Sequence, residues 1–405
     1  MWGLERLWPE LGLIAAALAY RYRFLSSLAL ALYAGGILWQ EQAETLLLRF
    51  SPEATLFWAV AVALTLIARM ITPPSLGGAW ALVLLLGSYG LLLRSTHLLF
   101  SWACLESAAL SGYFFVVAMG REPLQWSAAI RYFTWSVLGS ALILMGIAVR
   151  LVQHLPLSYP IESGGFLADG CLFWGWAIKV GLIPWHFWLL GVYRALPTVW
   201  AAWYAAIPKG ALLLNLLSLL PTEGKGPLPF IFLVLGMVSL GAGYARAWSA
   251  PTPIEKLFWG SFSQAGYMVL VLAPGAQAAG WNFWLVYAGA SFLAFLYAAH
   301  PWRGRIGDAV GLLLLANLAG LPPVLGFWVK LALFVEAFIR FEGILRIFLI
   351  GVGLVATIAG FAVYGRVAWA LWQGPSAAVS WGRKVLYGVG AGSLLVLGIV
   401  GLRWS

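Results

Sequence analysis

The stretch "FWGWAIKVGLIPWHFW", Phe173 to Trp188, is apolar enough to cross a bilayer, yet it carries Lys179, Pro184 and His186. A lysine at the centre of a membrane helix costs roughly 2.5–3.5 kcal/mol on insertion scales. Pro184 has no backbone N–H to donate, and its ring crowds the carbonyl of Val180, next to Lys179. The segment is therefore a helix interrupted beside a charge, and its reading turns on whether the chain repeats it.

It does. "LANLAGLPPVLGFWVKLALF", Leu315 to Phe334, places Gly320, Pro322 and Pro323 just before Lys330. The two segments lie five spans apart in the count below, and an odd offset reverses the direction of a helix across the bilayer. Broken helices at corresponding positions of two inverted halves point to a transport site.

The surrounding chain supports a membrane reading. Of its 405 residues 62% are hydrophobic and 9% charged, against about 25% charged in a soluble domain. Apolar runs of roughly 20 residues recur without the period-2 alternation of barrel strands, so the expected fold class is all-α and polytopic. We count about fourteen spans of that length. They centre near Ala15, Leu32, Ala61, Leu85, Glu106, Leu138, Lys179, Lys209, Leu235, Ala265, Phe292, Leu318, Leu354 and Leu395. The expected organisation is N-terminal helices 1–3 over residues 1–75, a first inverted repeat (helices 4–8) over 76–220, a second (helices 9–13) over 221–370, and helix 14 over 371–405. The N-terminal "MWGLERLWPELGLIAAALAY" lacks a basic n-region and a small-residue cleavage site, so a retained first helix is expected there.

Cys104 and Cys171 fall inside apolar runs and form neither a disulfide framework nor a metal-ligand spacing. No phosphate-binding glycine motif is present. No metal, nucleotide, flavin, haem or iron–sulfur site is expected in this chain. The net charge of +10 is read as topogenic charge in loops rather than a nucleic-acid surface. Alternate loops hold 13 and 8 Lys/Arg residues. The positive-inside rule puts the richer set in the cytoplasm and both termini on the opposite, periplasmic side.

Four charges fall near mid-depth of expected spans: Glu106, Lys179, Lys209 and Lys330. Together they cost on the order of 10 kcal/mol before pairing. Snorkelling fails for Lys179 and Lys209, whose flanks are apolar for more than two turns on both sides. His186, seven residues from Lys179, is expected two turns along the same face, where a neutral imidazole can pass a proton onward or simply bond at an interface. Burial favours a neutral lysine and a nearby carboxylate a charged one, so the Glu106–Lys179 distance can switch a proton on and off Lys179. The plainer alternative is that these charges only hold helices together.

The residues around these charges resemble the antiporter-like membrane subunits of respiratory complex I, a family shared with Mrp-type cation/proton antiporters. "WACLESAALSGYF" (Trp102–Phe114) is similar to the family's fifth helix, with Glu106 on its glutamate. "AAIRYFTWSVLGSALILMGIAV" (Ala128–Val149) is similar to the sixth, with Arg131 where lysine is usual. "AIKVGLIPWHFWLLGVYRALPTVWAAWYAAIPKGA" (Ala177–Ala211) resembles the seventh and eighth, with Lys179, His186 and Lys209 on family positions. "IEKLFWGSFSQAGYMVLVL" (Ile254–Leu272) resembles the tenth, with Gln264 at a position often held by histidine. The stretch Leu315–Phe334 resembles the broken twelfth helix, with Lys330 on its charged residue.

Within the family the N type is closest. Lysine at 330 disfavours the M type, the "YRALPT" run Tyr193–Thr198 resembles the N-type pattern, and the long lateral helix of the L type is not expected after the fourteenth span. The usual Pro-Asp before Tyr193 is replaced by Leu190 and Gly191 with Val192.

The resemblance implies proton translocation through Glu106 as coupling carboxylate, Lys179 as switching site, Lys209 as central relay and Lys330 as last protonatable group. His186 would assist. Arg131 and Gln264 would modulate: an arginine biases a carboxylate without releasing a proton, and a glutamine conducts only through water. NADH, FMN, iron–sulfur clusters and quinone would sit on partner subunits. Those partners would be the M-type subunit, small K-, J- and A-type subunits and the lateral helix of the L type, in a bacterial inner membrane. The alternative within the resemblance is an Mrp-type antiporter subunit.

Overall fold

Polar side chains cap three of the helices where the chain enters an apolar run. A computed structural model describes residues 48, 51–120, 122–220, 230–273, 275–375 and 377–401. Among them lie fourteen α-helices. The first seven are α1 (Pro52–Ile71), α2 (Leu76–Arg94), α3 (Leu98–Met119), α4 (Leu124–Val152), α5 (Gly165–Val180), α6 (Phe187–Ala195) and α7 (Thr198–Leu219). Then come α8 (Phe230–Ser249), α9 (Pro253–Gly266) running into a 3-10 turn at Tyr267–Val271, and α10 (Gln277–Ala299). Last are α11 (Arg305–Ala319), α12 (Leu325–Arg340), α13 (Gly343–Gln373) and α14 (Trp381–Gly401). Isolated bridges Leu48–Ser95 and His97–Ser158 are the β-type pairings among the described residues.

The caps are chemically ordinary. Ser51 Oγ accepts from Ala54 N at 3.0 Å ahead of α1, Ser75 Oγ from Gly78 N at 3.1 Å ahead of α2, and Thr252 Oγ1 from Glu255 N at 3.2 Å ahead of α9. Each satisfies a helix-end N–H that nothing in hydrocarbon would satisfy. Proline at the first helical position of α1 and of α9 gives up an N–H that needs no intrahelical partner.

The third to fourteenth expected spans are all present. The seventh is broken into α5 and α6 and the twelfth into α11 and α12. Nine helices among the described residues are long and apolar enough to cross a bilayer alone. The pieces of the broken spans, 16 and 9 residues and 15 and 16 residues, fall short by length, as does α9 of the tenth span at 14 residues. The spans expected near Ala15 and Leu32 lie outside the described residues.

The fold divides into two units. The first holds the described residues up to Val180, with Phe187–Trp203 and Leu214–Leu219. The second holds Gly181–His186, Tyr204–Leu213 and the described residues from Leu220 onward. In the first unit α4 and α5 pack backbone to backbone. A Cβ on Gly175 would stand 2.6 Å from the Gly139 carbonyl oxygen, and one on Gly139 would stand 3.0 Å from that of Gly175. Small residues are what permit such an approach, and it brings one face of α4 against Lys179. In the second unit α13 turns Ile344, Ile347, Phe348, Val355 and Ile358 outward, as a lipid-facing helix does.

Four residues counted as loop charges, Arg69, Arg94, Arg150 and Lys256, are buried instead, and the last two show why. Arg150, in the last turn of α4, bonds Asp169 at 3.4 Å and the carbonyls of Glu162 and Pro156, tying down the α4–α5 loop. Lys256 caps the end of α8 through the carbonyls of Ala247 (3.2 Å), Trp248 (3.2 Å) and Ala250 (2.5 Å). Basic residues near helix C-termini meet unpaired carbonyls and the negative end of the helix dipole, so both are pulled out of the loops.

Candidate functional site

Lys179 closes the last turn of α5, one residue before the break. Its ammonium donates to Glu106 Oε1 on α3 at 3.3 Å and to Ser136 Oγ on α4 at 3.1 Å. Ser140 Oγ, one turn on from Ser136, donates to the same carboxylate oxygen. Lys179 is buried, whereas the Glu106 side chain keeps 29% of its surface exposed. At that separation and an effective dielectric of about 20 the attraction is about 5 kcal/mol, enough to offset most of the cost of burying the pair. The α5 backbone ends with Gly181 in the left-handed region (φ +75°). The Ile178 carbonyl beside the break accepts from Trp188 Nε1 at 3.1 Å.

In the second unit Lys209 sits in α7 directly after Pro208. The proline removes the donor that the Tyr204 carbonyl would take in an unbroken helix. Lys209 Nζ donates to Ser261 Oγ at 3.1 Å and Ser261 O at 3.3 Å, and lies 4.3 Å from the Phe262 ring centroid. The His186 ring packs on the same Phe262 (5.5 Å) and on Trp259 (5.2 Å), with Nδ1 3.1 Å from the Pro184 carbonyl oxygen.

Lys330 has a different solution. The helix α11 ends at Gly320, φ +82°, whose N–H turns back to Ala316 and Asn317. That leaves the Leu318 and Ala319 carbonyls directed at α12, where Lys330 Nζ meets them at 2.7 and 3.1 Å. The negative end of a half-helix thus solvates the cation, and the Tyr267 ring covers it at 4.7 Å. Gln264 Nε2 donates to the same Leu318 oxygen at 3.0 Å and to the hydroxyls of Tyr244 and Tyr364 at 3.1 Å each. All three lysines are nearly inaccessible: Lys179 5%, Lys209 2% and Lys330 4% exposed.

One expectation needs correction. His186 does not share a helical face with Lys179, because α5 stops at Val180 and α6 starts at Phe187. His186 instead packs on aromatic rings of α9. Arg131 is exposed on α4. It lies five residues from Ser136, which at 3.6 residues per turn is another face, and the polar partners of the Glu106–Lys179 pair on α4 are Ser136 and Ser140. Sequence reasoning also missed Ser261, Tyr244, Tyr364 and Pro208. The proline, adjacent to Lys209, was legible by the argument applied to Pro184. The replacement of Pro-Asp by Leu190 and Gly191 leaves residues 187–195 free to form α6 without interruption.

Comparison with known proteins bears on these elements together. The family described as "NADH:quinone oxidoreductase/Mrp antiporter, TM" matches residues 95–303, which include Glu106, Lys179, Lys209 and Gln264 and stop short of Lys330. NADH-quinone oxidoreductase subunit 14 of Thermus thermophilus is 32% identical over 61% of this chain, which spans 60% of that protein's length. NADH-quinone oxidoreductase subunit N of Geobacter metallireducens is 27% identical over 80% of this chain and 76% of its own. A chain of respiratory complex I from Thermus thermophilus with bound aureothin shares the fold at a TM-score of 0.85. It is 23% identical, with 98% of this chain and 97% of that one covered. Since the family match takes in more than half of its residues, this chain belongs to the NADH:quinone oxidoreductase/Mrp antiporter membrane family.

Proposed function

We propose that the chain is a proton-translocating membrane subunit of an NADH:quinone oxidoreductase, of the N type, which moves protons while quinone is reduced elsewhere in the complex. The observation that carries the proposal is the Lys179–Glu106 pair at 3.3 Å beside a helix break. Oε1 of Glu106 is the oxygen that engages the lysine. Moving α3 from α5 by about 1 Å changes the Glu106–Lys179 attraction by about 1 kcal/mol at an effective dielectric of about 20, and doubling the separation removes about half of it. Lys179 would switch between holding and releasing a proton, Lys209 relay it, and Lys330 be the last protonatable group, with His186 assisting between aromatic walls. Residues 76–220 and 221–370 would form the two inverted repeats, each carrying one broken helix.

In this reading the chain performs no redox step. NADH, FMN, iron–sulfur clusters and quinone belong to partner subunits, and the membrane partners are M-type, small K-, J- and A-type subunits and the L-type lateral helix. The site is a bacterial inner membrane with both termini on the periplasmic side. Names of relatives, NADH-quinone oxidoreductase subunits 14 and N, support this over an Mrp-type role. The test is Lys179→Ala in the native complex, reconstituted in vesicles. We expect assembly and NADH oxidation to persist while protons moved per NADH fall. Unchanged stoichiometry would sink the role given to Lys179.

A further inference from the structure

Four elements meet behind Lys330. Tyr244 of α8, Gln264 of α9, Leu318 of α11 and Tyr364 of α13 are joined through one side-chain amide. The NH2 end of that amide faces the Leu318 oxygen, because a carbonyl cannot donate. One N–H goes to Leu318 and the other is shared between the two hydroxyls. The Tyr244 and Tyr364 rings, 6.1 Å apart and edge to face, hold the hydroxyls where the amide needs them. Gln264 is 1% exposed.

The Leu318 oxygen is also the closest acceptor of Lys330. A carbonyl offers two lone pairs, and here one faces an amide N–H and the other an ammonium. The amide presents the positive end of its dipole to the same oxygen that solvates the lysine. It withdraws acceptor strength from that oxygen and opposes the charge on Lys330. We propose that Tyr244 and Tyr364 are positioning residues for Lys330: by clamping Gln264 onto the Leu318 carbonyl they weaken the hold of the α11 terminus on the lysine's proton. The inference rests on the reading that Lys330 exchanges protons during transport.

Other polar and titratable groups lie on α12 and on the elements packed against it. The 3-10 turn contributes Tyr267, whose hydroxyl is bonded to Thr357 of α13 at 2.8 Å. The α10 helix contributes Tyr287, which lines a cavity of about 10 Å³ with Lys330, Gln264 and Asn317. The Asn317 amide oxygen is held by Gly326 N at 2.8 Å. Asp308 of α11 pairs with Arg303, and on α12 itself Glu336 pairs with Arg340. Tyr387 of α14 donates to Leu296.

The experiment is the pH profile of proton pumping by the intact complex in vesicles, for Tyr244→Phe/Tyr364→Phe, Gln264→Leu, Gln264→His and Lys330→Ala. Phenylalanine keeps the rings and their packing and deletes only the hydroxyls, so a purely structural role predicts an unmoved profile. With the clamp loosened, Leu318 turns to Lys330 alone and the lysine keeps its proton to higher pH. We expect the alkaline limb to move up by about half a unit to one unit in the tyrosine double variant. Gln264→Leu should move it at least as far, and Gln264→His, which restores a donor, should bring it back. A double variant whose profile superimposes on the parent, while Lys330→Ala impairs pumping, overturns the clamp and leaves the functional reading standing. Normal pumping by Lys330→Ala overturns the functional reading, and the clamp with it.

Discussion

At the scale of single residues, a buried ion pair is weak evidence for function, because pairing can serve only to hold helices. The two roles separate by double substitution. Removing one member strands the other and costs about 3–5 kcal/mol for a fully buried pair. Glu106→Gln strands Lys179, whose side chain is 4% exposed, and should fall in that range. Glu106→Gln combined with Lys179→Met removes both charges and should recover most of that loss, because a buried pair can be replaced by neutral groups at little cost. Subunit content of purified complex measures the stability, and protons moved per NADH measure the function. We expect stability to return in the double variant and pumping not to. Recovery of both would leave the pair as glue. The charges themselves were legible because each violates a known insertion cost. Their partners were not: Ser136, Ser140 and Ser261 violate nothing, and a serine in a membrane helix is common. His186 was misplaced because the argument of a shared face assumed a continuous helix across a proline that ends it.

At the scale of elements, the two breaks are alike in backbone and different in how they are closed. Both end in a left-handed glycine, Gly181 at φ +75° and Gly320 at φ +82°. The first closes with an indole N–H on the Ile178 carbonyl, a fixed and uncharged cap. The second closes with the Lys330 ammonium on Leu318 and Ala319, a cap that changes when a proton leaves. Trp188→Phe should therefore cost about 1–3 kcal/mol, the usual range for a buried carbonyl left unpaired, with transport per assembled complex preserved. Gly320→Ala should do more. A side chain in that conformation costs roughly 1–2 kcal/mol, and its Cβ would stand 2.7 Å from Lys330 Cδ. The flexible lysine must move off its carbonyls, so pumping should drop beyond what lost assembly explains. Gly351→Ala, with nothing within 4 Å of the added carbon, is the control and should change neither. The breaks were legible from glycine and proline beside a lysine. What closes them was not, because a cap from another turn or another helix depends on packing that periodicity does not encode.

At the scale of the whole molecule, span count and placement were legible because membrane thickness fixes helix length. All twelve expected spans that fall within the described residues are present. Chemistry at this scale demands a partner. Buried lysines redistribute protons but return to their starting state each cycle, and moving one charge against the membrane potential costs about 2.3 kcal/mol per 100 mV. A site can be driven only by something that binds or pushes its two states differently. That free energy must enter from outside the proton path, and its source separates the two members of the family. Solubilised in a mild detergent and isolated through a tag on this chain, the complex should carry a hydrophilic arm with iron–sulfur absorbance and should oxidise NADH with quinone. Isolation instead with small membrane subunits, without clusters and with cation-dependent proton exchange in vesicles, would assign the chain to the Mrp branch. The Glu106–Lys179 switch would keep its geometry in either case. Only the agent that moves α3 against α5 would differ: a redox-linked partner in the first, a cation gradient in the second.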